Sequence, residues 1–186
     1  MALDDIHYQP LTTVAELIRT RSISPVELTQ AILARIEQHD GALKSYTTVT
    51  ADLALSQAKA AETDIGRGLY RGPMHGIPIA VKDLCFTKGI RTTGGMTMYA
   101  DFKPDHDATV VTKLAQAGAV LLGKLHMTEG ATLEPHPDLP EPELTLASLV
   151  PGSSRSISVS VRWCLTSNIV SRVSKTWPMV FMNLSM

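Results

Sequence analysis

The first 134 positions carry hydrophobic and polar residues in patterns that spell out helices and strands. Ser24-Pro25-Val26-Glu27 is a helix start with a mechanism. Ser24 can cap free N–H groups, Pro25 suits the first helical position, and Glu27 can close a capping box. Val26, Ala31, Ile32, Leu33 and Ile36 roughly follow helical spacing, which predicts one buried face. This helix is predicted to end near His39–Gly41, with Gly41 taking a positive φ. A shorter helix is predicted around Thr13–Thr20. A third, rich in alanine, is predicted over Asp52–Thr63, ending before Gly66 and Gly68.

Ile77–Val81 is a short apolar run bounded by turn residues, the signature of a buried strand. Pro78 cannot donate a ladder hydrogen bond, so it belongs at the strand's start or edge. Thr92-Thr93-Gly94-Gly95 reads as a loop. Asp107 is predicted to cap a helix running through Ala117, ended by Gly118, and Ala119–Leu122 forms a second buried strand. The order strand, loop, helix, strand predicts a right-handed crossover. The fold class is therefore α/β, a mixed and largely parallel sheet flanked by helices.

The pattern breaks after residue 134. Residues 135–143 (PHPDLPEPE) are rich in proline and interrupt any regular element. Residues 144–186 contain no Asp or Glu, a single glycine (Gly152) and ten serines, against four serines in the first 143 positions. This shift divides the chain into 1–134 and a linker and serine-rich tail, 135–186. Within the tail, SRSISVSVRW alternates like a strand, but no helix or cap follows.

Composition narrows the function classes. The chain has 186 residues, 44 % of them hydrophobic and 19 % charged, with 17 basic and 18 acidic residues and a net charge of −1. That balance is ordinary for a globular domain and advertises neither nucleic acid nor an acidic membrane surface. No apolar run is long enough to span a membrane, and the polar, acidic start does not read as a signal peptide, so the expected location is cytoplasmic. Cys85 and Cys164 are too few and too scattered for a disulfide framework or a zinc site.

The candidate chemistry centres on Lys82, at the end of the Ile77–Val81 run. A lysine at a strand end is either a solvated terminus or a desolvated proton acceptor. The second role requires a neutral amine, hence a fall of roughly three units from about 10.4, which burial can supply. Asp83 reads as a turn or capping residue, His75 as the donor or acceptor of a structural hydrogen bond, and Cys85 as a thiol without a partner histidine. Met96, Met98 and Met127 read as core or pocket lining rather than as a metal site.

Gly72-Pro73-Met74-His75-Gly76-Ile77-Pro78-Ile79-Ala80-Val81-Lys82-Asp83, followed by Gly89 and Thr92-Thr93-Gly94-Gly95, resembles the lysine segment of the amidase signature family. ATVVTKLAQAGAVLLGK and Met127-Thr128-Glu129 resemble further segments of that family, with His126 where asparagine is more usual. The resemblance implies a hydrolase of carbon–nitrogen amide bonds whose catalytic unit is a lysine, a serine held by a cis peptide bond, and a nucleophilic serine. It places Lys82 on the lysine position and Met127 and Thr128 beside the substrate. It also implies a small-molecule amide substrate and no metal or organic cofactor.

Pro151-Gly152-Ser153-Ser154 faintly resembles the segment that carries the cis serine, which makes Ser153 the candidate. Beyond Ser154 the match ends: Arg155, Ser156 and Ile157 replace a glycine-rich continuation, and no later Gly-Gly-Ser follows. The expectation is an amidase N-terminal piece without an identifiable nucleophile, inactive alone, the alternative being a non-catalytic fragment or binding module. Out-of-frame or intron-derived sequence would account for the tail. A role like that of the related transamidation enzymes acting on charged tRNA finds no support in the charge balance. An unfinished sheet would leave apolar surface open to self-association or aggregation.

Overall fold

The computed structural model describes residues 3–131. The linker 135–143 and the tail, with Ser153, Ser154 and Cys164, lie outside the described residues. After a short 3₁₀ turn at Leu3–Tyr8 come α1 (Leu11–Arg19), α2 (Pro25–Leu43), β1 (Tyr46–Val49), α3 (Ala51–Gly66), β2 (Pro78–Lys82), α4 (Thr109–Gln116) and β3 (Val120–Leu125). Further 3₁₀ turns cover Thr97–Tyr99 and Glu129–Ala131.

The start of α2 forms as its sequence dictates. The Ser24 hydroxyl accepts the N–H groups of Val26 (2.9 Å) and Glu27 (3.4 Å), and the Glu27 carboxylate accepts the Ser24 N–H (3.2 Å). Such a cap stabilises by about 1 kcal/mol. The far end differs from expectation. Gly41 stays helical, and the left-handed residue is Lys44 (φ 50°), whose N–H donates to Asp40 O at 2.7 Å. Asp40 supplies the missing stop signal, because its Oδ1 also accepts the Ser45 N–H at 2.7 Å. The buried stripe of α2 is Leu28, Thr29, Ile32 and Ile36, rotated from the one its apolar residues predict. α3 likewise runs on through Gly66.

Asp107 does not cap α4. Its Oδ1 accepts the Lys88 N–H at 2.6 Å, and α4 starts at Thr109 behind Ala108 with no side-chain cap. Gly118 does end the segment, with φ 82°.

The sheet is mixed, with strand order β1-β3-β2. β2 runs parallel to β3, joined by the segment containing α4, and Pro78 sits at its first position. β1 pairs antiparallel to β3, a strand that the sequence pattern does not announce. Tyr46-Thr47-Thr48-Val49 are all strong strand formers, but four residues between two helices give a weak signal on their own. β3 is the central strand and is buried on both faces from Val120 to Lys124. α2 and α3 pack against each other and against the sheet. Ile18 and Leu122, both fully buried, anchor the core, each stabilising by roughly 1.5–3 kcal/mol.

Candidate active site around Lys82

Lys82 is the last residue of β2, at the carboxyl end of a parallel strand, where α/β folds place their ligands. β2 alternates: Ile79 and Val81 are buried, while Pro78, Ala80 and Lys82 are half-buried. The apolar run therefore does not enclose Lys82 among the described residues.

The chain turns sharply after Lys82, and Asp83 fixes the turn. Asp83 is fully buried. Its N–H donates to Leu125 O (3.0 Å), and its carbonyl accepts the Gly94 N–H (3.1 Å). Its Oδ2 accepts from the Thr93 N–H (3.0 Å) and hydroxyl (2.5 Å), and the Thr93 oxygen in turn accepts the Gly95 N–H (3.1 Å). Asp83 thus acts as the turn residue its sequence context suggests, and it holds the Thr92–Gly95 loop beside the end of β2.

Gly95 (φ 70°) is pressed against the segment after β3. A Cβ there would lie 2.8 Å from Met127 O and 2.9 Å from the carbonyl atoms of Thr128. Only glycine fits that approach. The fold therefore assembles Lys82, the glycine loop and Met127–Thr128 into one locus. Met127 and Thr128 themselves are buried, at 2 % and 7 % exposure, so it is main chain that faces the loop there. Met96 is half-buried, and Met98, expected to line core or pocket, points outward at 79 % exposure because it rides on the exposed Thr97–Tyr99 turn.

His75 has the structural role its position suggests. It is buried at the turn leading into β2, and its Nδ1 accepts the Arg71 N–H at 3.1 Å. Its ring lies against Gly118, where a Cβ would approach Cδ2 to 2.3 Å. Burial holds the imidazole below its ordinary value, the Arg71 charge pushes the same way, and Asp64 opposes both. Burial likewise lowers His126, against the pull of Asp83 and Asp40. Cys85 is half-buried, and burial raises its thiol against the opposing charges of Lys124 and Lys82. No cluster of three or more His, Cys, Asp or Glu positioned for a metal ion occurs among the described residues. Nor is any helix among them long and apolar enough to cross a membrane.

Sequence reasoning missed the lysine that is fully buried, Lys124. Its Nζ contacts Cys85 O (2.5 Å), Thr92 Oγ1 (2.7 Å) and Thr87 Oγ1 (3.3 Å), and lies 3.8 Å from Asp83 Oδ1. The signal was present: a lysine inside the apolar run Val120–Leu125 cannot reach water when that strand is central.

A family model described as Amidase matches residues 27–135. The chain belongs to the amidase family. It is 53 % identical over 139 residues to the putative amidase AmiD of Mycobacterium tuberculosis H37Rv, a match covering 75 % of this chain and 29 % of that protein. It is 50 % identical over 126 residues to a glutamyl-tRNA(Gln) amidotransferase subunit of Pseudomonas fluorescens Pf-5, covering 68 % and 26 % respectively. Among solved structures, native peptide amidase from Stenotrophomonas maltophilia superposes with a TM-score of 0.65 at 30 % identity, covering 71 % of this chain and 27 % of that one. The chain thus spans less than a third of the length of these amidase-family relatives.

Proposed function

We propose that this chain carries the lysine limb of an amide-hydrolase active site, with Lys82 as the proton acceptor. A serine hydroxyl attacks an amide only when something takes its proton, and a neutral lysine can do so through a bridging serine. Ser153 is the candidate for that bridge, and Met127 and Thr128 are the candidate substrate neighbours. Backbone N–H groups of glycine-rich loops would stabilise the oxyanion, and water would release the acyl group, with no cofactor required. The substrate class is a small-molecule amide. The observation that carries this reading is the placement of Lys82 at a strand's carboxyl end beside the Thr92–Gly95 loop, which packs on Met127–Thr128.

On this reading the chain by itself is inert, because loss of a serine nucleophile costs on the order of 10⁶ in kcat and a placed lysine cannot recover it. The purified chain is expected to give no turnover of simple amides above the buffer rate. Replacing the matching segment of an active full-length relative with residues 1–131 is expected to retain hydrolysis. Lys82→Ala in that chimera should then lower kcat by on the order of 10⁴–10⁶. A chimera that keeps its rate with Lys82→Ala, or turnover by the isolated chain, refutes the proposal.

A further inference from the structure

We propose that Lys124 is a positioning residue for Lys82, a buried ammonium that works from the opposite face of the sheet to fix the turn after β2. The inference rests on the reading of Lys82 as proton acceptor. Cross-strand partners share a face and consecutive residues alternate. Val81 pairs with Lys124 and Lys82 pairs with Leu125, so the two lysines point to opposite faces. Lys124 therefore reaches Lys82 through the main chain rather than through the substrate space.

The hydrogen-bond pattern favours the charged form. The Thr92 hydroxyl donates to Ile90 O (3.1 Å) and the Thr87 hydroxyl donates to Cys85 O (3.1 Å), so neither has a proton left for Lys124. A carbonyl such as Cys85 O can only accept. All three contacts at Nζ are then donated by the lysine. Three donors exist on an ammonium and only two on a neutral amine. Burial opposes that charge, and Asp83 supports it. The same ammonium gathers the Cys85–Thr87 turn, the Thr92 loop and the Asp83 carboxylate. Asp83 Oδ1 has no hydrogen-bond partner among the described residues, so its compensation there comes from Lys124 at 3.8 Å.

The test uses the whole chain and three readouts that need no turnover. In the wild-type protein, ¹⁵N NMR is expected to place Lys124 Nζ at an ammonium shift at pH 7, and a neutral-amine shift overturns the proposal. In Lys124→Met, amide hydrogen exchange is expected to rise at least about tenfold at Thr93, Gly94 and Gly95 while the centre of α2 stays protected. No change, or an equal rise in α2, overturns it. The pH midpoint for alkylation of Cys85, resolved from Cys164 by peptide mass spectrometry, should move upward in Lys124→Met because a thiolate-stabilising charge is gone. An unchanged midpoint overturns it. Should Lys124→Met fail to fold, Lys124→Gln, which also removes the charge but leaves Asp83 in place, carries the same exchange and alkylation measurements with the same outcomes. A chimera that keeps its rate with Lys82→Ala, alongside the expected exchange and alkylation behaviour of Lys124→Met, would remove the catalytic reading of Lys82 and leave the geometry of Lys124 standing, so the two failures are distinct.

Discussion

The Asp83–Lys124 pair makes the sharpest energetic prediction. Both side chains are fully buried and their charged atoms lie 3.8 Å apart. At an effective dielectric of about 20, unit charges at that distance interact by roughly 4 kcal/mol. Lys124→Met leaves a buried carboxylate without its counter-charge, and Asp83→Asn leaves a buried ammonium without its own. Each single change is expected to cost about 3–5 kcal/mol. The double variant removes both charges, while the asparagine oxygen can still accept from Thr93. Its loss should fall short of the sum of the two single losses by a coupling energy of about 4 kcal/mol. The assay is urea unfolding of the four proteins, followed by helical circular dichroism. Additive losses would refute the view that the two groups act as a charged pair.

Two further expectations follow from other parts of the fold. Gly118→Ala puts a methyl where the His75 ring lies 2.3 Å from the ideal Cβ, at a backbone φ of 82°. It should destabilise by roughly 2–4 kcal/mol in the same urea assay, and a loss below about 1 kcal/mol would show that the His75 turn yields freely. Acid should also weaken the fold. His75 and His126 are held below the unfolded value of 6.5, so the unfolded chain takes up protons that the folded chain refuses. Thermal midpoints should be level above pH 7 and fall as pH drops below about 6.5, with a shallower fall in His75→Gln. A midpoint that holds or rises between pH 6.5 and about 5 contradicts a neutral, buried His75 and a neutral, half-buried His126.

Local chemistry was legible in the sequence because local rules govern it. The Ser24–Glu27 capping box, Pro78 at the head of β2 and Gly118 at the end of α4 each depend on a few neighbouring residues. The end of α2 and the start of α4 depart from their local signals because Asp40 and Asp107 commit their carboxylates elsewhere, to Ser45 and to Lys88 nineteen residues away. The candidate site was only half legible. Gly72–Asp83 pointed to Lys82 and the glycine loop, but not to how thoroughly that lysine is covered. Burial depends on which strands neighbour it, and β2 alternates its exposure while β3 does not.

Residue order was enough to specify the helices, the two parallel strands and the family, and to single out Lys82 as the candidate. Three features came only from packing: β1 closes the sheet in the antiparallel sense, β3 lies at the centre, and Lys124 is the lysine withdrawn from water. The physical reason is range. Capping and periodicity act over three or four residues, whereas the contacts that charge and hold Lys124 come from Asp83, Cys85, Thr87 and Thr92, more than thirty positions away.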